Sequence, residues 1–227
     1  MCGRFSFFAR RADIAAAFPF LLLDANFDST VPARYNIAPT QRTPIVRSDL
    51  HLTLAHWGFG PPHTFNARAE SAAERPLYRR SYFERPALVP ASGWFEWEPT
   101  PSGKRPFFIN ALDRGPILFA ALWDIRDSSP CFSIVTRSSR FELQSIHHRE
   151  PVVIESGDAL RWLDTGLSPA DRSSLLAPRA EHAMHFACRE IARAVNDIGN
   201  DGPDILAAPT SSEAARDIAL FPPVTMP

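Results

Sequence analysis

Short apolar runs separated by proline, glycine, serine or aspartate dominate the first two thirds of the chain, and they predict many short β-strands. Residues 52–57 show the pattern well, because leucine, leucine and histidine alternate there with threonine, alanine and tryptophan. Mid-chain strands follow one another about every dozen residues, which favours antiparallel pairing over strand–helix–strand crossovers. The predicted strands span 44–47, 52–57, 87–90, 94–98, 106–110, 117–122, 132–136 and 151–154.

Helical patterns are fewer and shorter. One combines Ser168 as N-cap with Pro169 at the first helical position and predicts a helix through Leu176. An alanine-rich helix over 11–18 is predicted to end before Pro19. Further helices are predicted over 139–148 and 158–163, loops over 31–40 and 58–65, and either strand or helix over 183–198.

These elements predict one α+β domain over residues 1–227, mostly antiparallel β in a barrel-like or folded sheet with peripheral helices. From about residue 200 the chain is rich in proline, aspartate and alanine, and we expect a peripheral C-terminal tail there. The 22 prolines are scattered, so they punctuate short elements and do not form a disordered tract.

Charge and cysteine content narrow the function classes. The net charge of -1 excludes a globally basic nucleic-acid binder, although 24 lysines and arginines can still form a local patch. Three cysteines without paired spacing argue against a disulfide framework and for a reducing compartment. No signal segment precedes Arg10 and the apolar stretch 15–23 is too short to span a membrane, so we expect a cytoplasmic monomer without a membrane partner.

Cys2 is the first candidate for chemistry. A start methionine before a small residue is normally removed, which would leave Cys2 with an α-amine and a thiol on adjacent carbons. Such a 1,2-aminothiol condenses with an aldehyde to an imine, which the thiol closes to a five-membered thiazolidine. Both groups titrate at about 8 to 8.5, so reactive fractions exist near neutral pH. Alternatively, Cys2 is merely a small second residue, and Cys131 and Cys188 read as buried, inert thiols.

Two further candidates are polar residues in apolar surroundings. Asn66, flanked by phenylalanine and alanine, could donate and accept hydrogen bonds at once, while Arg68 on the same side of a strand could hold a phosphate. The alternative is an asparagine turn with a salt-bridged arginine. Glu96 lies between two aromatic residues, which would disfavour its charged form and suit it to carry a proton. Alternatively, Glu96 faces solvent on an amphipathic strand.

His147 and His148 add a group that titrates near neutral pH. Adjacent residues at a helix end point to different sides, so at most one histidine is expected to enter a site. Capping of the helix C-terminus explains such a histidine equally well. Cys2 and these histidines lack the paired spacing of a zinc site, so we expect no metal and no cofactor.

Basic and aromatic residues in the first half could grip single-stranded nucleic acid by phosphate contact and base stacking. Surface arginines are common, so this pattern alone is a weak signal. The set comprises Arg4, Arg34, Tyr35, Trp57, Arg68, Arg75, Arg79 and Arg80.

Taken together, the fragments resemble the SRAP family, the SOS-response-associated peptidase domains that shield abasic sites. They run in family order over nearly the whole chain up to residue 196, and their joint match is specific although no single piece is. The matching pieces are residues 1–5, 34–41, 57–58, 66–70, 88–97 and 121–123, with Ile146, His147, Arg149, Pro151 and residues 194–196.

The resemblance implies binding of single-stranded DNA, or of a single-strand/double-strand junction, that carries an abasic site. It further implies that Cys2 forms a thiazolidine with the sugar aldehyde, that Asn66 places the terminal amine and sugar, and that Glu96 shuttles protons. His147, and not His148, matches the site histidine. The word peptidase refers to proposed self-removal of residues before the cysteine, and only Met1 precedes it here.

The resemblance also implies a DNA path. Arg4, Arg68 and Arg149 match phosphate-contacting arginines, and Arg75 matches more loosely. The remaining DNA-binding candidates are Pro39, Trp57 and Thr136.

Three departures from the family pattern concern DNA affinity and base wedging. Glu150 replaces a usual methionine, Ser139 replaces a usual asparagine, and the 58–66 loop is short and lacks extra tryptophans.

Two rival functions also fit the residues: an N-terminal-nucleophile amidohydrolase that uses the Cys2 thiol, and a non-catalytic single-strand binder.

Overall fold

The secondary structure is rich in strands, as the sequence predicts. The computed structural model describes residues 2–60, 64–101, 103–140, 143–178 and 186–209, together with the backbone of 217–219. The strands are β1 (Phe5–Phe7), β2 (Arg34–Ile37), β3 (Arg42–Val46), β4 (Leu52–Trp57), β5 (Asn66–Arg68), β6 (Pro86–Ala91), β7 (Gly93–Thr100), β8 (Gly103–Ala111), β9 (Ile117–Arg126), β10 (Ser129–Ser138), β11 (Arg149–Pro151), β12 (Val153–Ile154), β13 (Phe186–Glu190) and β14 (Asp217–Ala219). The helices are α1 (Arg11–Ala17), α2 (Phe27–Thr30), α3 (Pro76–Glu84), α4 (Leu143–Ile146), α5 (Ala159–Leu163) and α6 (Pro169–Leu176).

Five strands close into a barrel at the centre of the fold. They pair in the order β10-β4-β3-β6-β9, and β9 pairs with β10 to complete the ring. Most of these pairings are antiparallel, but β10 runs parallel to β4 and to the short β5. This arrangement confirms the predicted α+β class with a mostly antiparallel, barrel-like sheet and peripheral helices.

A second sheet packs beside the barrel in the order β14-β13-β8-β7-β1-β2. The side chains of β7 divide between its two faces, as the two-residue period of a strand requires. Trp94 lies in the main core, whereas Phe95 lies in a smaller core with Phe108 and Val195. Glu96 follows Trp94 by two residues and is directed towards the main core, where it is buried.

Several elements differ from the sequence-based prediction. The helix expected over 139–148 is reduced to α4 in the described part of that range, and α3 was not predicted. Part of the predicted 31–40 loop is β2, because this segment pairs antiparallel with β1, with Phe5 opposite Ile37. Asp201 accepts hydrogen bonds from the backbone N–H groups of Tyr35 and Asn36. The ambiguous 183–198 range contains β13 and a 3₁₀ helix, Arg193–Asn196.

Two described segments near the C-terminal end of the sequence contact the second sheet or the smaller core beside it. β14 pairs with β13 at the sheet edge, and Ile205 of the 3₁₀ helix Pro203–Leu206 packs in the smaller core.

The predicted helix with Ser168 as N-cap is confirmed, since the Ser168 side chain accepts from the Asp171 N–H. Within the described ranges, none of the helices combines the length and apolar character needed to cross a membrane.

Candidate active site

Segments that are distant in sequence bring the candidate residues together. Cys2 precedes β1, which pairs with β7 so that Phe5 opposes Trp94. The Phe95 N–H donates to the Arg4 carbonyl at 3.0 Å, which extends this pairing towards the chain start and brings Cys2 near Glu96.

Asn66 contacts Cys2 directly. Its Nδ2 donates to the Cys2 carbonyl oxygen at 2.8 Å, in a buried position. Its Oδ1 is buried without a hydrogen-bond partner among the described residues. Two supports hold Asn66: β5 pairs with β10 opposite Ile134, and the Tyr78 hydroxyl donates to the Asn66 carbonyl at 3.0 Å. The amide therefore positions the Cys2 backbone while its oxygen is available to a bound group.

Glu96 is a buried carboxyl group at the middle of β7, with 3% of its surface exposed. Burial raises its pKa from 4.5 to about 8, so it holds a proton near neutral pH. Its Oε2 lies 3.6 Å from His147 Nδ1, and its Oε1 has no partner among the described side chains. The alternative of a solvent-facing glutamate is wrong.

His147 follows α4, which packs against β7. The Arg149 N–H donates to His147 Nδ1 at 3.1 Å, and the Arg149 carbonyl oxygen lies 3.0 Å from the same nitrogen. These two backbone contacts fix the orientation of the ring. Burial lowers the pKa of His147, and the ring is therefore neutral at pH 7. His148 is exposed. A neutral imidazole therefore lies next to a protonated carboxyl, at a separation of 3.6 Å that is just beyond a hydrogen bond.

Cys2 is fully buried when residue 1 is still attached. Burial, together with the negative charge of Glu96, raises the pKa of its thiol. Cys131 and Cys188 are also buried, and burial raises the pKa of the Cys131 thiol to about 11. Cys2 is thus the cysteine that lies beside a carboxyl and an amide. Its backbone nitrogen is bonded to residue 1 and becomes an amine only when that residue is removed.

Some of the DNA-path candidates face outward. Arg68 and Arg75 are exposed, at the end of β5 and just before α3, and Pro39 is partly exposed. Both guanidinium groups are therefore accessible to solvent, and Arg68 lies two residues after Asn66 on β5.

Three other DNA-path candidates offer less surface to a strand of DNA, and their contacts with DNA stay predictions. Trp57 is 1% exposed and stacks on Phe132, so it offers no face to a base. Thr136 is buried, and Arg4 turns inward to donate to Asn36 Oδ1 and the Val195 carbonyl. The two-residue period identifies the two faces of a strand but not which of them is buried.

Arg149 is also buried, and it forms an ion pair with Glu70. No local sequence pattern indicated this pair, or the Tyr78 contact with Asn66. Pro76 at the first helical position was the available signal for α3 and hence for Tyr78. No group of three or more His, Cys, Asp or Glu side chains suited to a metal is found within the described residues.

The chain is similar to a known protein family and to several of its members. The family model "SOS response associated peptidase (SRAP)" matches residues 1–198. The abasic site processing protein YedK of Escherichia coli (strain K12) is 31% identical over 219 residues, which cover 91% of this chain and 99% of that protein. The abasic site processing protein HMCES of Xenopus tropicalis is 24% identical, over 82% of this chain and 68% of that protein.

A solved structure shows the same fold. A Bacteroides thetaiotaomicron protein superposes with a TM-score of 0.78 at 24% identity, covering 91% of this chain and 99% of its own. Because the family model matches most of the chain, residues 1–198, the chain belongs to the SRAP family.

Proposed function

We propose that this protein captures abasic sites in single-stranded DNA covalently, as a thiazolidine formed by Cys2. The observation that carries the proposal is the convergence of Asn66 on Cys2, and of His147 on a protonated Glu96, in one buried region. The names of the relatives, which are abasic site processing proteins, support the choice of substrate.

The reaction begins once Met1 is removed and the Cys2 nitrogen is a free amine. That nitrogen attacks C1′ of the open-chain sugar aldehyde, and the carbinolamine loses water to give an imine. The Cys2 sulfur then adds to the imine carbon, and the thiol proton passes to nitrogen to complete the ring. One carbon–nitrogen and one carbon–sulfur bond form, and one water leaves.

Each neighbour has a role that follows from its environment. Glu96, protonated below about pH 8, gives its proton to the sugar ring oxygen as it opens and to the departing hydroxyl. Neutral His147 accepts a proton and returns it. Asn66 holds the Cys2 carbonyl, which orients the amine, and its free Oδ1 accepts from the sugar or amine.

The DNA follows the exposed arginines. Arg68 and Arg75 contact phosphates on either side of the lesion, and a single strand or a single-strand/double-strand junction supplies an unpaired sugar. The protein acts as a monomer that shields the lesion in the DNA damage response.

Intact mass spectrometry after incubation with an abasic single-stranded oligonucleotide tests the proposal. We expect one adduct with the summed mass less one water, stable without borohydride reduction. Cys2→Ala should abolish it, whereas Cys131→Ala, which changes another buried free cysteine, should leave it intact. An adduct that survives Cys2→Ala would contradict the mechanism.

Two results would favour the rival functions. Turnover of a small amide without DNA would indicate an amidohydrolase that uses the Cys2 thiol. Equal retention of intact and abasic oligonucleotides without an adduct would indicate a non-covalent binder.

A further inference from the structure

Arg149 meets a carboxylate at the protein surface. Its Nη1 donates to Glu70 Oε1 at 2.7 Å, its Nη2 to Glu70 Oε2 at 2.9 Å, and Nη2 also to the Thr136 carbonyl at 2.6 Å. The Arg149 side chain is 8% exposed, whereas that of Glu70 is 52% exposed. Glu70 therefore covers the guanidinium from the solvent side.

A phosphate presents two charged oxygens to an arginine fork in the same way as a carboxylate. The fork of Arg149 that could hold a DNA phosphate is thus already filled by Glu70. Its Nε is buried and has no partner in the described part of the chain, so Glu70 does not satisfy every donor. The Arg149 guanidinium is therefore preorganised to bind an anion, and the Glu70 carboxylate of the protein itself occupies that position.

Glu150, next to Arg149 on β11, shows the contrasting case. It is 2% exposed and accepts from Arg137 Nε at 2.8 Å and Arg140 Nε at 2.7 Å. Removing such a carboxylate would strand buried charges, so Glu150 is a fixed structural partner. Glu70 is instead half exposed, so its carboxylate can turn into water when an incoming phosphate takes its place and keeps the buried Arg149 charge compensated.

We propose, on the basis of the proposed function, that Glu70 sets the DNA affinity of the site by occupying the phosphate position at Arg149 until a DNA phosphate displaces it. The register of the sheet supports this position. Thr136 is paired with Arg68 on one side, and the Arg149 backbone holds the His147 ring on the other. A phosphate at Arg149 is therefore flanked by an exposed arginine and by the site histidine.

Fluorescence anisotropy with an undamaged single-stranded oligonucleotide tests this role without the covalent step, in protein carrying Cys2→Ala. Adding Glu70→Gln should tighten binding about two- to fivefold, because no internal anion has to be displaced. The matched control is Glu84→Gln, which removes another exposed carboxylate paired with an arginine, Arg80. It should give a clearly smaller gain.

Arg149→Met provides a second check. In that background Glu70→Gln should no longer tighten binding, since there is no fork to release. Equal gains from Glu70→Gln and Glu84→Gln, weaker binding of Glu70→Gln, or a gain that survives Arg149→Met would each overturn the inference and leave the proposed function standing. Absence of any single-strand binding in the Cys2→Ala protein would overturn both.

Discussion

At the scale of single residues, the environment of Glu96 decides when it can act as an acid. Burial raises its pKa from 4.5 to about 8, so its proton is available below that pH. We expect the single-turnover rate of crosslinking to fall as pH rises through about 8, and Glu96→Gln to lower the rate about a hundredfold and to remove that fall. A rate profile unchanged by Glu96→Gln would contradict the acid role.

The stability of the protein checks the same shift independently. Between pH 4.5 and about 8 the folded state holds the Glu96 proton and the unfolded state does not, so stability falls as pH rises through this range. The uncharged Glu96→Gln variant escapes this loss. Urea unfolding should find it more stable than the parent at pH 9, by on the order of 2–4 kcal/mol, and nearly equal at pH 4.

Residue types alone were enough to select Cys2, Asn66 and Glu96 as candidates, since each is a reactive or polar group in an unusual local setting. They left His147 and His148 as alternatives, and only the family resemblance selected His147. The orientation of the DNA-path residues was harder. Arg4 and Trp57 look similar in sequence to surface contacts, but they lie inward because the sheets that cover them come from later parts of the chain. Burial by distant strands cannot be deduced from neighbours in sequence.

At the scale of elements, α3 is a helix that the sequence did not predict, and it contacts the candidate site through Tyr78. It contains several aromatic residues, and its N-cap residue, Arg75, makes no side-chain cap hydrogen bond. Both features weaken the helical signal. The elements with strong signals, such as β4 and α6, were predicted correctly, because alternation and capping are local properties.

Tyr78 tests the contribution of α3 to the site. Tyr78→Phe removes the donor to the Asn66 carbonyl and should cost about 1–3 kcal/mol of stability. The crosslinking rate should drop several-fold while non-covalent DNA affinity is unchanged, because Asn66 is displaced from Cys2 and the exposed arginines are not. Tyr82→Phe on the same helix is the matched control, and an equal rate loss there would show that Tyr78 has no special role.

At the scale of the whole molecule, closure of the barrel was only partly predictable. Antiparallel neighbours follow from short connections, and the sequence indicated them. The parallel pairings of β10 with β4 and β5 join strands more than 60 residues apart, and no local pattern reports them. Those pairings bring Asn66 into the site.

The buried start of the chain makes an N-terminal extension a test of the whole architecture. An extension converts the Cys2 amine into an amide, and a thiol alone cannot close a thiazolidine. We expect protein with an uncleaved tag to form no adduct by intact mass and to regain it when a protease leaves Cys2 first. Adduct formation with the tag in place would contradict the requirement for a free amine.

The late position of β10 has a consequence for biosynthesis. Strand β10 pairs with β4, β5, β9 and β11. Neither the closed barrel nor the β5–β10 pairing that holds Asn66 can therefore be complete before residue 138 has been translated. His147 is translated later still. Under the proposed mechanism, a growing polypeptide on the ribosome therefore carries Cys2 without the groups that direct its reaction until residue 147 has been added.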